Sequence, residues 1–377
     1  MKDVMGVIYT TKDDFALREL TSQRAVAALP VAGRYRVVDF VLSNMVNSGV
    51  RNVGVITQRN YHSLMDHLGS GKEWDLHTRN NGLFILPPFL TRENGGEYAG
   101  MLDALRANFD YLRRSRQELV ILTGSNMIYT TSYEPMIAQH EATGADITLM
   151  YTPVDPSIME RSSNARASHT FVNVDAEGKV TDIEVDPNVA TYDKMSMGVL
   201  VLKRTLLIHL VDQAHAHGMH DLHADLLRPN IESGALTVYG YKYDGYRRRI
   251  ETIRSYFEMN MELLNKDVRK EVFGKQPVYT KVRDEVPVQY MEGAKVSNSL
   301  VADGCQIEGT VENCVLFRGV HIGRGAVVKN SIIMQSCDIG PNVELENVIF
   351  DKDVTIRSGR LIGQKQYPIV IGKNVTL

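Results

Sequence analysis

Three groups of residues in this 377-residue chain have the types and spacing to do chemistry. The first is the turn Thr10–Arg18, TTKDDFALR, between the apolar run Val4–Tyr9 and a turn-then-helix stretch, Leu20–Asn44. A first strand, a tight turn and a helix form the frame in which α/β proteins cradle phosphates. The cradle needs glycine, because only a residue without Cβ lets backbone N–H groups come close to an anion. No glycine occurs between Val7 and Ala32, and Asp13 and Asp14 would repel a polyphosphate. The second group is His215, His217, His220 and His223, with Asp221 and Asp225 close by. Imidazole and carboxylate suit zinc, but a His-x-His pair on a helix splays its rings apart. A polar helix end and loop around Gly218 is the expected role. The third group is Arg247–Arg249, which as a short basic run reads first as a solvated face. Two sharper roles are holding a phosphate through Arg249 and pairing with Asp13, Asp14 and Asp186 to close a pocket. At about 4 Å such a pair gains about 4 kcal/mol at an effective dielectric of about 20, which favours the closed pocket.

The elements that must position these groups follow from periodicity. Residues 1–274 alternate strand-like runs (Asn52–Thr57, Glu118–Thr123, Ala145–Tyr151, Met197–Leu202, Leu236–Tyr241) with amphipathic helical stretches. One of these, Met101–Arg114, carries Leu102, Leu105, Phe109 and Leu112 on one face; Ile253–Lys266 is another. This predicts an α/β domain with a doubly wound, mostly parallel sheet, whose ligands sit beyond the carboxyl ends of the strands. Residues 275–294, with Pro277 and Pro287, read as an extended linker. In residues 295–377 branched residues recur about every six positions, as in Ile333, Ile339 and Leu345, with Gly or Asn in the turns between. That period predicts a parallel β-helix of hexapeptide repeats, a shape whose flat faces and ends suit subunit packing.

A net charge of -3 argues against nucleic acid as a bulk partner. No run approaches the ~20 apolar residues of a membrane span, and the N-terminus lacks the apolar core of a signal peptide. Cys305, Cys314 and Cys337 match no disulfide framework or zinc spacing, so reduced thiols in a cytoplasmic protein are expected.

The stretch Leu20–Gln58, LTSQRAVAALPVAGRYRVVDFVLSNMVNSGVRNVGVITQ, resembles the bacterial glucose-1-phosphate adenylyltransferases (ADP-glucose pyrophosphorylases). Further landmarks agree in order: His62-Ser63-Leu64, Gly100 with Asp103-Ala104, Ile121–Tyr129, Ser196-Met197-Gly198, Asp225-Leu226, and Tyr256 with Asn260. With the hexapeptide tail, the likeness covers nearly the whole chain and implies that the β-helix is left-handed. It also implies a chemistry in which Mg²⁺, held by two aspartates, neutralises ATP phosphates while glucose 1-phosphate attacks the α-phosphorus.

This chain departs from the family pattern at the positions that carry that chemistry. The aspartate of the L-A-G-D-H motif is Ser125, and that of the W-R-D-V-G-T motif is Arg249. Serine alone is a poor Mg²⁺ ligand, and arginine stays protonated. The catalytic arginine of the phosphate loop is Ala16, the sugar-phosphate lysine of E-K-P is Asp186, and the effector lysine of RAKPAV is Val26. The resemblance therefore implies no catalytic residues and no cofactor. Asp103, Ser196, Gly198 and Arg249 are left as candidates for a residual pocket. Arg24, Arg34 and Arg36 keep family positions where phosphorylated effectors bind, and arginine forks suit such anions. An ion pair such as Arg36 with Asp39 is an equal alternative. The combination is similar to non-catalytic members of the family, which pair with a catalytic subunit (GlgC) in a heterotetramer. A phosphorylated sugar or nucleotide would be the effector, and no nucleic acid or membrane is expected. The rivals are an active transferase with atypical metal ligation and a stand-alone metabolite sensor.

Overall fold

A computed structural model describes residues 3–10, 15–78, 81–88, 98–154, 169–364 and 366–377. Thr11–Asp14 lie outside the described residues, so the reading of Asp13 and Asp14 has no structural account. The turn resumes as a short 3-10 segment, Phe15–Leu20, with Arg18 at φ 45°.

Strand β1 (Val4–Tyr9) is buried along its whole length, as an apolar run without alternation must be in a sheet covered on both faces. Next come helix α1 (Val37–Asn47), β2 (Asn52–Ile56), α2 (His62–Leu68) and β3 (Gly82–Leu86). The helical stretch read over Met101–Arg114 is two helices, α3 (Met101–Ala107) and α4 (Phe109–Arg114). They part at Asn108, whose side chain donates to the Ala104 carbonyl. The chain continues through β4 (Leu119–Gly124), β5 (Met127–Tyr129), α5 (Glu134–Thr143) and β6 (Ile147–Pro153). After these come β7 (Thr170–Val174), β8 (Val180–Val185), β9 (Lys194–Lys203), α6 (Arg204–Ala216), β10 (Val238–Lys242) and β11 (Arg247–Arg249). Helices α7 (Ile253–Glu262) and α8 (Lys266–Phe273) close this part of the molecule.

The main sheet runs β8–β7–β9–β4–β1–β2–β3, with β6 paired to β9 and β10 beyond it. Strands β4, β1, β2 and β3 are mutually parallel, and β9 is antiparallel to both β4 and β6. The antiparallel β7–β8 pair precedes β9 in the chain and returns it to the sheet against the parallel direction. Register places Tyr9 beside Gly124, so Thr10 and Ser125 leave the sheet side by side at its carboxyl edge. A separate ribbon pairs β11 with β5, setting Arg249 opposite Met127.

From Gln289 onward the chain builds three sheets of five short parallel strands each, the faces of a triangular coil. Its first strand, Gln289–Tyr290, lies within the stretch read as linker. One inward ladder runs Val296, Val311, Val328, Leu345, Ile362. The corners leave little room: a Cβ on Gly309 would stand 2.4 Å from the Ala326 carbonyl oxygen. The three cysteines face the interior, where burial pushes Cys314 and Cys337 up to about 12 and Cys305 to about 11. Such thiols stay protonated and unreactive.

The coil and the sheet domain share a core. Leu17, Leu20, Val26, Val31 and Phe40 pack in one cluster with Val315, Phe317, Ile332, Met334 and Ile349. Polar ties join α7 to the segment before α1: the Tyr256 hydroxyl donates to the Pro30 carbonyl (2.6 Å), and Asn260 accepts from the Ala32 N–H (3.1 Å).

Candidate functional site

The carboxyl edge of the sheet, where ligands of such folds sit, is where the two departed aspartate positions meet. Ser125 is buried, and its hydroxyl donates to the Tyr9 carbonyl at 3.4 Å. The Ile250 N–H donates to the Asn126 carbonyl, which holds the end of β11 against the segment that carries Ser125. Strand β9 contributes through a bulge. Its pairing to β6 jumps between Ser196 and Val199, Gly198 takes φ 68°, and the Gly198 N–H donates to the Ser196 hydroxyl. A bulge re-aims the backbone. Here the Ser196 carbonyl accepts from Arg249 Nη2 at 2.9 Å.

The arginine run splits among acceptors. Arg249 Nε lies 3.6 Å from Glu251, and Glu251 also takes the His169 imidazole at 2.9 Å. Arg248 pairs with Glu262, and Arg247 donates to the Pro153 carbonyl. Among the described residues the acids on Arg248 and Arg249 are Glu262 and Glu251, and the expected partners Asp13 and Asp14 lie outside the described residues. Asp186, at φ 53°, instead ties the end of β8 to the His169 carbonyl through its backbone N–H. Burial alone would raise the Glu251 pKa, but the His169 hydrogen bond and the Arg249 charge outweigh it and hold the carboxyl below its usual range.

The histidine segment proves to be divided. His220 pairs with Asp103 (2.8 Å), which also accepts the Gly100 N–H at the start of α3. Gly100 is required there, since a Cβ would lie 2.2 Å from the His220 carbonyl oxygen. Asp225 accepts the N–H groups of His220 and Asp221 and is held below the usual carboxylate range by them. His223 turns the other way, and its Nε2 is shielded from solvent without a hydrogen-bond partner. Burial pushes its pKa down, the Arg249 charge adds to the effect, and Asp221 opposes it. Of the four residual-pocket candidates, Ser196, Gly198 and Arg249 come together, while Asp103 is tied to His220.

The two aligned positions do not fit a Mg²⁺ ion. One offers a buried hydroxyl already bonded to a backbone carbonyl, and the other a guanidinium engaged with Glu251. Among the described residues no three His, Cys, Asp or Glu side chains are grouped to hold a metal. Ala16 is partly buried in the 3-10 segment.

A second site lies between the two parts of the molecule. A cavity of ≈ 170 Å³ is lined by Arg34, Arg36, Lys281, Arg283, Arg318 and Lys352, against the acids Asp66 and Asp353. Nε of Arg34, Nε of Arg318 and Oε1 of Gln335 are buried on its walls without partners. Burial lowers the Arg36 pKa to about 10, with Asp39 opposing and Arg24 adding. Arg24 is no anion donor: it is 4% exposed, and its guanidinium chelates Asp351 of the coil at 2.8 and 2.9 Å. The alternative pair of Arg36 with Asp39 is also corrected. The Arg36 guanidinium donates to Ser63, while Asp39 takes the Arg36 backbone N–H and His67.

Sequence reasoning passed over Glu251 and His169, and it weighed His223 only as part of a histidine cluster. Glu251 was visible only as a neighbour of Arg249. His169 is brought to Glu251 from 82 positions away by the start of β7, and His223 is placed by the helical turn Leu222–Leu227 after α6, neither with a local signal.

Comparison with known proteins agrees with this geometry. The nucleotidyl transferase model matches residues 16–266, and the model described as GlmU-like, C-terminal hexapeptide, matches 286–367. Glycogen biosynthesis protein GlgD of Bacillus subtilis is 36% identical over 99% of this chain and 96% of that protein. Glucose-1-phosphate adenylyltransferase of Thermomicrobium roseum is 37% identical over 96% of this chain and 84% of that protein. The enzyme of that name from Geobacillus stearothermophilus is 34% identical over 83% and 80%. The chain thus belongs to the nucleotidyl transferase family, in the group that holds GlgD and the glucose-1-phosphate adenylyltransferases.

Proposed function

We propose that this chain is a non-catalytic regulatory and scaffolding subunit of glucose-1-phosphate adenylyltransferase, acting in glycogen biosynthesis in the cytoplasm. The observation that carries the reading is Arg249: a guanidinium clamped between Glu251 and the Ser196 carbonyl stands where the family likeness asks for a metal-binding carboxylate. Transition-state charge in this chemistry is stabilised by a divalent ion, and removing its ligands removes the largest contribution to the rate. The name of the Bacillus subtilis relative supports a place in glycogen synthesis, and the names of the other relatives supply the reaction of the partner.

The partner is a catalytic glucose-1-phosphate adenylyltransferase subunit, GlgC, assembled with this chain as a heterotetramer. Influence on that subunit would run through contacts that shift its conformational equilibrium. The inter-domain cavity supports a phosphorylated effector on Arg34 and Arg36, because both line it and the unmet Nε donors of Arg34 and Arg318 on its walls suit an anion. Co-purification tests the assembly: the tagged chain expressed with a catalytic subunit should elute as one complex of fixed stoichiometry. Elution of the two chains as separate species contradicts it.

A further inference from the structure

The cavity between the sheet domain and the coil is bordered by a lysine whose amine has no partner among the described residues. Lys352 follows Asp351, whose carboxylate is taken by Arg24 and by the Lys352 backbone N–H (2.7 Å). Nζ of Lys352 has no hydrogen-bond or ion-pair partner among the described residues, and the side chain borders the cavity with Arg34, Arg36 and Arg318. Burial lowers its pKa from 10.5 to about 7, with Arg36, Arg24 and Lys373 adding and Asp351 opposing. At neutral pH the free-base fraction is then on the order of a thousandfold above that of an ordinary lysine. The same walls bear two unmet donors, Nε of Arg34 and Nε of Arg318.

We propose that Lys352 is a carbamylation site, whose unpartnered Nζ adds carbon dioxide to give a carboxylate inside the arginine-lined cavity. The nitrogen lone pair attacks the carbon of CO₂ and forms the N–C bond. One C=O electron pair moves onto oxygen, and a proton leaves nitrogen for solvent. The product is one negative charge with two acceptor oxygens, delivered where guanidinium donors lack acceptors. A neutral amine is thereby exchanged for a carboxylate that the surrounding guanidiniums attract, which is the condition under which a labile carbamate persists. A cavity of ≈ 170 Å³ admits CO₂ readily. This inference concerns Lys352 alone and stands or falls independently of the regulatory role proposed above.

The test uses the full chain in ¹³C-bicarbonate at about pH 7.5, where the Lys352 amine is mostly free base. Carbamate is read by ¹³C NMR, then trapped with a trialkyloxonium salt and mapped by peptide mass spectrometry. The expected result is occupancy at Lys352 at least about tenfold above that of any other lysine. Mapping the unaltered chain decides the site without relying on a variant. Lys352→Arg and Lys352→Gln should lose the resonance, Lys373→Arg should keep it, and inorganic phosphate should lower it several-fold by competing for the arginines. Carbamate spread evenly over the exposed lysines with Lys352 unmodified overturns the proposal. So does Lys352 occupancy that phosphate leaves unchanged.

Discussion

At Arg249 a single guanidinium holds a bulge carbonyl and a largely buried carboxylate together. Arg249→Ala leaves Glu251 with His169 alone and the Ser196 carbonyl without its donor, so a loss of about 1–3 kcal/mol in urea unfolding is expected. The clamp also bears on ligands. Calorimetric titration with ATP or glucose 1-phosphate should show no binding at millimolar or tighter affinity, and binding that Arg249→Ala abolishes would oppose the closed arrangement. His223 supplies a pH signature. Its folded pKa lies below the ordinary 6.5, so the unfolded chain takes up the proton first. The stability it supports is complete above about pH 6.5 and declines as pH falls below that value. His67 is shifted in the same direction, so His223→Gln should flatten only part of the acid limb of urea midpoints measured from pH 7 to pH 5. At this scale the sequence was legible where chemistry and position coincide, as at Ser125 and Arg249. It was silent on the partners, because Glu251 is one of many acids and His169 is set by strand pairing across the fold. Zinc ligation by His215–His223 was disfavoured on helix geometry, and that reasoning gave no hint that His223 would be buried within reach of the Arg249 charge.

Among the elements, the Arg24–Asp351 pair is the most exacting joint, since it links the segment before α1 to the coil in a buried setting. Arg24→Ala strands the Asp351 carboxylate and should cost about 3–5 kcal/mol, whereas Arg24→Met with Asp351→Leu should cost much less. Chemical denaturation of the three proteins checks this, and equal losses in both variants would show that the charge is not what matters. The bulge in β9 is the second joint. Gly198 has open space around it, so Gly198→Ala carries only the penalty of a positive φ, about 1–2 kcal/mol, and loosens the Ser196–Arg249 contact. Elements with a strong period were readable from residues alone. The coil could be read because each face needs one inward branched residue about every six positions. Strands such as Asn52–Ile56 and Leu119–Gly124 could be read because both of their faces are covered. The antiparallel course of β9 and the break at Asn108 could not, since both depend on backbone hydrogen bonds that leave the apolar pattern unchanged.

Among the described residues, an apolar cluster, a buried ion pair and a cationic cavity join the two parts of the molecule. The lining of that cavity comes from both parts, Arg34 and Arg36 from one side and Arg318 and Lys352 from the other, so an anion bridging them would contact both. This is the geometry a regulatory subunit needs, because a ligand can shift an equilibrium only by contacting the moving parts differently in two states. On the proposed role, the fold persists for assembly and control rather than for turnover. ADP-glucose formation from ATP and glucose 1-phosphate, assayed with this chain alone and with increasing amounts of it added to a catalytic subunit, tests that claim most directly. The expected result is no turnover by the chain alone and a saturable change in the partner's kcat or KM at a fixed ratio of the two. Turnover by the isolated chain on the scale of the catalytic subunit, or a partner unaffected at every ratio, would contradict it.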